Sequence, residues 1–299
     1  MSTPQANTKN TKNIVLAKHA GFCYGVKRAV ETTKQLKKQF PEKDVFVLGE
    51  LIHNSLVIQE LENLNIKKID AVSDCVSSSG VCVIRSHGVP AKIYQELEAK
   101  GVEIADLTCP DVKKVQKKAY ELAADGYLLI IIGKPEHPEV VAIKANAQEY
   151  SQNVYVAPDV EALKKIEKTI KEYKKIGVVV QTTQRVSVLQ EVVNYLLPLV
   201  QELKICNTIC ASTSLRQNEA RELATKSDLM IVVGSKKSAN TSHLAEILKD
   251  ITSTIHIEKV DDLADYSDLI QKSQNIGITA GASTPDYLIN EVLNKLKQY

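Results

Sequence analysis

The chain has 299 residues, of which 44% are hydrophobic and 25% charged, so it is long enough for one large domain or several small ones. Its 38 basic residues nearly balance its 36 acidic residues, which argues against a nucleic-acid binder that draws its affinity from phosphate neutralisation. No apolar run approaches the roughly 18 to 20 residues that cross a bilayer, so we expect no membrane-spanning segment.

Residues 1–12 are polar and small and lack the apolar core of a secretory signal, and we predict a disordered tail there. The chain has six cysteines, with no Cys-x-x-Cys pair and no zinc-finger spacing. Because no export signal precedes them, we expect free thiols and a cytoplasmic location. Buried thiols, a nucleophile and metal ligands drawn from distant parts of the chain all remain open at this point.

Apolar, strand-like runs alternate with helical patterns along the chain, which is typical of parallel β-sheets covered by α-helices. The strands are predicted at Asn13–Ala17, Asp44–Leu48, Val81–Arg85, Tyr127–Ile132, Gly177–Gln181, Leu229–Val233 and Asn275–Thr279. Helical patterns follow Cys23, Cys109 and Cys210. The pattern therefore predicts an α/β protein.

The spacing of these features repeats along the chain. A glycine ends the next strand 24 residues after Cys109 and after Cys210, since 133 − 109 = 24 and 234 − 210 = 24. At offsets of 28 and then 73 residues from these two cysteines, polar residues follow strands: His137 and Ser238, then Thr182 and Ser283. The first third matches more loosely, and the corresponding residues after Cys23 are His53 and His87.

The repeat has a structural consequence, because ligands bind at the carboxyl ends of strands in parallel α/β sheets. If the three thirds pack around a pseudo-threefold axis, three cysteines and six polar loops converge on one central cleft. Simple duplication without a shared site would give the same self-similarity.

Cys23, Cys109 and Cys210 each precede a predicted helix, where unpaired N–H groups and the helix dipole favour an anion. We therefore expect lowered thiol pKa values at these positions. Three thiolates near one axis suit the soft iron of a cluster better than hard cations, and a cubane held by three cysteines keeps one iron open. We predict structural roles for Cys75, Cys82 and Cys206.

Six polar stretches line the predicted cleft, and their side chains and backbone N–H groups suit a phosphorylated ligand. No Walker loop or GxGxxG fingerprint indicates a nucleotide. Glu139 lies two residues from His137 and is a candidate proton shuttle. We predict surface or capping roles for His19, His243 and His256. The candidate site residues are His53, His87, His137, Glu139, Thr182, Thr183, Ser238, Asn240 and Ser283.

These stretches resemble the 4-hydroxy-3-methylbut-2-enyl diphosphate reductase family, from about Asn13 to the C-terminus. The matching motifs, in the family's order, are GFCYGVKRAV, ELIHNS, IRSHGVP, DLTCPDVKKV, GKPEHPEV, QTTQ, GSKKSANTSHL and ITAGASTPD. The resemblance implies a trefoil of three α/β domains around a 4Fe–4S cluster held by Cys23, Cys109 and Cys210. We place the domains at 13–107 plus 284–299, at 108–206 and at 207–283.

The resemblance also implies the reaction, which is reductive dehydroxylation of the substrate to isopentenyl diphosphate and dimethylallyl diphosphate by two electrons passed through the cluster. Glu139 would deliver protons, His137 would lie over the substrate, and Thr182 would position its hydroxyl group or a water molecule. Ferredoxin or flavodoxin is the implied electron donor. The residues implied to bind the diphosphate are His53, His87, Ser238, Asn240 and Ser283.

Two positions depart from the family pattern. Ala239 stands where the family has a second serine, and Leu215 replaces an amide after the third cysteine. Two other functions remain open from the residues. One is a zinc enzyme or thiol hydrolase with Cys109 as nucleophile and His137 as base, and the other is a non-catalytic phospholigand-binding module or redox sensor.

Overall fold

Three four-stranded parallel sheets with helices packed against them form the structure, a computed structural model that describes residues 12–76 and 80–299. Residues 1–11, which make up most of the predicted tail, lie outside the described residues. Lys12, the last residue of the predicted tail, is described, and its Nζ donates hydrogen bonds to the carbonyls of Ile270 and Ser273. None of the described helices combines the length and the apolar character that a bilayer crossing requires.

The secondary structure follows the predicted alternation. The strands are β1 (Asn13–Leu16), β2 (Val45–Leu48), β3 (Ile66–Ile69), β4 (Val81–Ile84), β5 (Glu103–Asp106), β6 (Leu128–Ile132), β7 (Val154–Ala157), β8 (Lys175–Val180), β9 (Glu202–Ile205), β10 (Leu229–Val233), β11 (Ser253–Ile257) and β12 (Asn275–Ala280). The α-helices are α1 (Tyr24–Gln39), α2 (Ser55–Asn63), α3 (Ala91–Ala99), α4 (Pro110–Ala124), α5 (Pro138–Gln148), α6 (Val160–Lys164), α7 (Glu167–Glu172), α8 (Val186–Leu196), α9 (Ala211–Ala224), α10 (Ala239–Lys249), α11 (Ser267–Lys272) and α12 (Asp286–Leu296).

The seven predicted strands are present as β1, β2, β4, β6, β8, β10 and β12. The sequence missed β3, β5, β7, β9 and β11, all of which lie at sheet edges. Edge strands pack on fewer neighbours and carry charged or polar residues, as in the β3 sequence IKKI, so they lack the continuous apolar run of a central strand.

The three sheets share one plan, which confirms the predicted α/β trefoil. Their strand orders are β3-β2-β4-β5, β7-β6-β8-β9 and β11-β10-β12-β1. In each, the two central strands end in the polar loops, and the last edge strand leads to a cysteine. The edge strand of the third sheet comes from the start of the described chain, because β1 pairs with β12.

This pairing corrects the domain boundaries drawn from the sequence, which put 13–107 and 284–299 in the first domain. The segment at 13–16 completes the third sheet instead. The C-terminal helix α12 also belongs there, since Leu288, Ile289 and Val292 pack with Ile231 and Ile278 in one apolar cluster. A strand near the N-terminus thus pairs with a strand near the C-terminus, and a contact between such distant segments cannot be read from local sequence patterns.

Side chains alternate between the two faces of a strand, and helices cover both faces of the sheets. In β6, Leu128, Ile130 and Ile132 pack on α8, while Leu129 and Ile131 pack on α4 and α5. All five are fully buried, and each such side chain contributes about 1.5–3 kcal/mol of burial free energy. Rigid central strands of this kind hold the loops at their carboxyl ends.

Candidate active site

Each sheet, together with the helices packed against it, is called a unit below. The three cysteines lie at equivalent places in the three units. Cys23, Cys109 and Cys210 are the N-cap residues of α1, α4 and α9, as the sequence predicted for helix starts. The Sγ atoms of Cys23 and Cys210 accept hydrogen bonds from the backbone N–H of Val26 (3.5 Å) and Thr213 (3.4 Å). Each sulfur therefore lies at the positive end of a helix.

The cysteine backbones are tied to the polar loops by a threefold set of hydrogen bonds. In each unit, the cysteine N–H donates to a carbonyl in the loop that follows a central strand of the neighbouring sheet. The bonds run from Cys23 to Ala282 (3.2 Å), from Cys109 to Ser86 (3.0 Å) and from Cys210 to Thr182 (3.0 Å). The thiols and the candidate substrate loops thus form one connected framework.

One cavity, partly open to solvent, lies between the three units. Its walls include every cysteine predicted to bind metal and every polar residue predicted to bind or act on a substrate: Cys23, Cys109, Cys210, His53, His87, His137, Glu139, Thr182, Ser238, Asn240 and Ser283. Thr183 also lines it, whereas Cys75, Cys82 and Cys206 do not.

The thiols differ from the prediction in their acidity. Burial raises the pKa of Cys109 to about 11, and burial also raises the pKa of Cys210. The expected lowering at helix N-termini is therefore wrong for these two, because desolvation outweighs the N–H groups. Protonated thiols still bind metal, since metal binding displaces their protons.

The cysteine set fits an iron–sulfur cluster. All three thiols are free and partly exposed to the same cavity, and three soft donors suit iron better than hard cations. Gly25 leaves open space beside the Cys109 sulfur, because a Cβ at position 25 would lie 2.7 Å from Sγ. Any larger residue there would fill the space next to the sulfur.

Three histidine rings gather on another wall of the cavity. The ring centroids of His53 and His87 lie 4.5 Å apart in a stack, and His137 meets both edge-on at 5.6 and 5.4 Å. Burial, together with the neighbouring rings and Arg85, lowers the pKa of His137 to about 3 and holds the pKa of His87 well below its usual range. Both rings are therefore neutral at pH 7.

Ring nitrogens of these histidines lie within 4.8 Å of one another, so the group offers ligands to a metal ion as well as to an anion. The Nδ1 atom of His137 accepts a hydrogen bond from the backbone N–H of Glu139 (3.2 Å). A neutral ring in this state carries its proton on Nε2. That N–H is a donor suited to a phosphate oxygen.

Glu139 is a buried carboxyl group in the first turn of α5, with 1% of its surface exposed. Burial raises its pKa to about 7, and two hydrogen bonds from Thr182 partly oppose the increase. These bonds join Oε1 to the backbone N–H (2.7 Å) and Oε2 to Oγ1 (2.8 Å) of Thr182. A carboxyl group poised near neutrality can both give and take a proton.

The third unit supplies hydroxyl and amide groups around the start of α10, which lines the cavity. Ser238 caps α10, and its Oγ accepts from the N–H of Thr241 (3.4 Å). Asn240 Oδ1 accepts from the N–H of Ala282 (3.1 Å). Ser283 Oγ donates to the His53 carbonyl (3.3 Å), which joins the third unit to the first. The N-terminus of α10 attracts an anion at this wall.

Sequence reasoning missed two supporting residues. His243 was predicted to be a surface or capping residue, but it is buried in α10 and its Nδ1 lies 2.9 Å from the carbonyl of Thr183. Asn54 is also buried, and its Nδ2 donates to the carbonyl of Ser283 (2.9 Å). The motif IHNS contained Asn54, but nothing local distinguished it from an ordinary helix cap.

The two departures from the family pattern lie in different places. Ala239 lines the cavity at the first position of α10, so its backbone N–H is available there in spite of the missing hydroxyl. Leu215 is 52% exposed and lies outside the cavity wall. Only Ala239 is therefore placed to affect a bound ligand.

Comparisons with known proteins agree with this arrangement. The family model described as LytB protein matches residues 14–297. A curated protein named 4-hydroxy-3-methylbut-2-enyl diphosphate reductase, from Clostridium tetani (strain Massachusetts / E88), is 41% identical over 95% of this chain, which spans 43% of that protein's length. A protein of the same name from Clostridium perfringens (strain 13 / Type A) is 39% identical over 96% of this chain and 99% of its own.

The fold is similar to that of a solved structure of (E)-4-hydroxy-3-methyl-but-2-enyl diphosphate reductase, described as the terminal enzyme of the non-mevalonate pathway. The sequences are 34% identical, and the match covers 96% of this chain and all of the other, with a TM-score of 0.71.

Proposed function

The chain belongs to the LytB protein family, and we propose that it reduces 4-hydroxy-3-methylbut-2-enyl diphosphate to isopentenyl diphosphate and dimethylallyl diphosphate. The observation that carries this proposal is the meeting of three thiols, three imidazoles and one buried carboxyl group in a single cavity. Relatives named as reductases of this diphosphate support it. The chain is accordingly an oxidoreductase of isoprenoid biosynthesis.

Cys23, Cys109 and Cys210 are the proposed ligands of a 4Fe–4S cluster. When bound, the cluster supplies the two electrons of the reduction one at a time and keeps one iron free of protein thiolates. The helix starts that the three cysteines cap favour the negative charge of the thiolates. The hydrogen bonds from their backbones to the loops at 86, 182 and 282 fix the thiols relative to the substrate.

His53, His87, Ser238, Asn240 and Ser283 are the proposed diphosphate ligands. Neutral imidazoles and hydroxyl groups donate hydrogen bonds to phosphate oxygens, and the start of α10 adds backbone N–H groups and a helix dipole. An anion in this position also raises the pKa of the nearby imidazoles. The diphosphate would anchor the five-carbon chain with its hydroxyl end towards Glu139 and Thr182.

Glu139 is the proposed proton donor, with Thr182 and His137 as positioning groups. Loss of the allylic hydroxyl consumes two electrons and two protons. The C–O bond breaks, the oxygen leaves as water with one proton, and the carbon skeleton takes the electron pair and the other proton. A pKa of about 7 keeps a large fraction of Glu139 protonated at neutral pH. Thr182 holds that carboxyl group through two hydrogen bonds.

Ferredoxin or flavodoxin is the proposed electron donor, because both deliver single electrons. A reducing compartment such as the cytoplasm is the proposed location, and the six free thiols are compatible with it.

A thiol hydrolase based on Cys109 and His137 is the weaker alternative. No hydrogen bond joins these two residues in the described part of the chain, although a thiol nucleophile requires one from its base. The raised pKa of Cys109 also keeps its thiol protonated and unreactive in the metal-free protein.

Anaerobic product analysis tests the proposal. Protein reconstituted with iron and sulfide should turn brown, and with reduced viologen it should convert the substrate to both five-carbon diphosphates, oxidising two viologens per product. Cys109→Ser should lose iron and activity, whereas the matched Cys206→Ser should keep both. A colourless zinc protein, or a loaded protein that binds the diphosphate without forming product, would contradict the proposal.

A further inference from the structure

Arg216 is a buried cation close to two of the cysteines. It lies in α9, six residues after Cys210, with 3% of its surface exposed. Its Nη1 donates to the carbonyl of Ala280 (2.7 Å) and its Nη2 to the carbonyl of Gly21 (2.9 Å), two residues before Cys23. Its Nε is buried and has no partner among the residues that the structure describes.

Among the described residues, the guanidinium makes no direct ion pair with a carboxylate. Within residues 12–76 and 80–299, no Asp or Glu oxygen lies within 4.0 Å of it. The acidic residue one turn later, Glu219, is already engaged, because its two oxygens accept from the backbone N–H groups of Lys18 (2.6 Å) and His19 (2.8 Å). A buried arginine stays charged, and an unpaired buried charge is unfavourable.

The thiols of Cys23 and Cys210 become anions when they bind metal, and their negative charges act more strongly on Arg216 than that of Glu219 does. Burial lowers the pKa of Arg216, and negative charge on Cys23, on Cys210 and, more weakly, on Glu219 opposes this change. The same side chain also connects the loop before Cys23 to the end of β12, from which Ser283 follows. Its charge and its hydrogen bonds thus act on the cysteine side of the cavity.

We infer that Arg216 is the buried counter-charge of the cysteine-bound cluster and that its cation raises the cluster's reduction potential. Reduction adds one negative charge to the cluster, and a desolvated cation nearby stabilises that charge because little water screens it. Arg216 therefore acts as a positioning and tuning residue, without contact to the substrate. The inference rests on the proposed function, since it requires the cluster.

Arg28 provides an internal comparison. It lies on α1, five residues after Cys23, and its Nη2 donates to the carbonyls of Leu107 (3.1 Å) and Thr108 (2.7 Å), just before Cys109. The same kind of link therefore occurs in two units. Arg28 is only half-buried, so water screens its charge more strongly. Its removal should loosen a cysteine loop with less effect on the potential.

The test is an anaerobic redox titration of the reconstituted protein, followed by absorbance and electron paramagnetic resonance. Arg216→Gln should lower the equilibrium constant for one-electron reduction tenfold or more, which is a shift of about 59 mV to more negative potential. Arg221→Gln, the same change at an exposed position of the same helix, should leave the potential unchanged. Arg28→Gln should lose iron to a chelator faster than the wild type but show a smaller shift.

A wild-type potential in Arg216→Gln with full iron content would overturn the inference, as would equal shifts in Arg216→Gln and Arg28→Gln. If Arg216→Gln takes up no iron, Arg216→Lys decides, because lysine keeps the charge without the paired hydrogen bonds. A cluster at the wild-type potential then supports the inference, and an altered potential or an absent cluster refutes it. Failure of the wild-type protein to hold iron through its cysteines would instead refute the proposed function.

Discussion

Replacing Glu139 with glutamine should change how the stability of the cluster-free protein depends on pH. The carboxyl group is buried, and its pKa is raised from 4.5 to about 7. An acid with a raised pKa in the folded state contributes stability that is fully present below the unfolded pKa and is lost as the pH rises through the folded pKa. Glutamine resembles the protonated acid and does not titrate, so Glu139→Gln should escape this loss.

The magnitude follows from the shift. A rise from 4.5 to about 7 corresponds to about 3 kcal/mol when the acid is fully ionised. Part of this is already lost at pH 5, so between pH 5 and pH 8 the wild type should lose about 2 to 3 kcal/mol of unfolding free energy relative to Glu139→Gln.

Urea unfolding followed by circular dichroism at pH 5, 6, 7 and 8 measures this difference. Glu222→Gln is the matched control, because Glu222 is exposed and a hydrogen bond from Lys226 lowers its pKa. Its stability relative to the wild type should not rise with pH. A constant difference between the wild type and Glu139→Gln, within about 0.5 kcal/mol across this range, would refute the account of Glu139 as a buried acid that titrates near neutrality.

Three further predictions concern the walls of the cavity. Ala239→Ser should change the affinity for inorganic pyrophosphate, measured by calorimetry, by less than about threefold, because the backbone N–H at position 239 is unchanged; a tenfold gain would show that the missing hydroxyl matters. Pyrophosphate binding at pH 7.5 should take up protons, because an anion raises the pKa of Glu139 and of nearby imidazoles such as His137. Binding enthalpies that are the same in buffers of different ionisation heat would contradict this. His243→Ala should lower the unfolding free energy by about 1–3 kcal/mol, since it leaves the buried carbonyl of Thr183 unpaired; an unchanged urea midpoint would argue against that hydrogen bond.

The central strands and the cysteines could be predicted because their signals are local. Runs such as LLIII in β6 have no alternative to burial, and the spacing from Cys109 and Cys210 revealed the repeat. The loops at the carboxyl ends of the strands then had to meet, as parallel sheets require. Every candidate side chain accordingly lines the same cavity.

The remaining features depend on distant parts of the chain. The pairing of β1 with β12 joins residues such as Asn13 and Asn275, and no local pattern reports such a contact. The thiol of Cys109 was expected to be acidic from its helix position, but the surroundings that bury it come from elsewhere in the fold. His243 resembled a surface histidine for the same reason, since its partner Thr183 lies 60 residues away.

The most direct test of the proposed site compares binding and turnover in loaded Glu139→Gln protein. General acid–base groups contribute typically 10²- to 10⁴-fold to a rate. We therefore expect Glu139→Gln to bind pyrophosphate within about threefold of the wild-type affinity and to form the five-carbon diphosphates at least 100-fold more slowly with the same iron content. Turnover within tenfold of the wild type would contradict proton delivery by Glu139 and the mechanism built on this cavity.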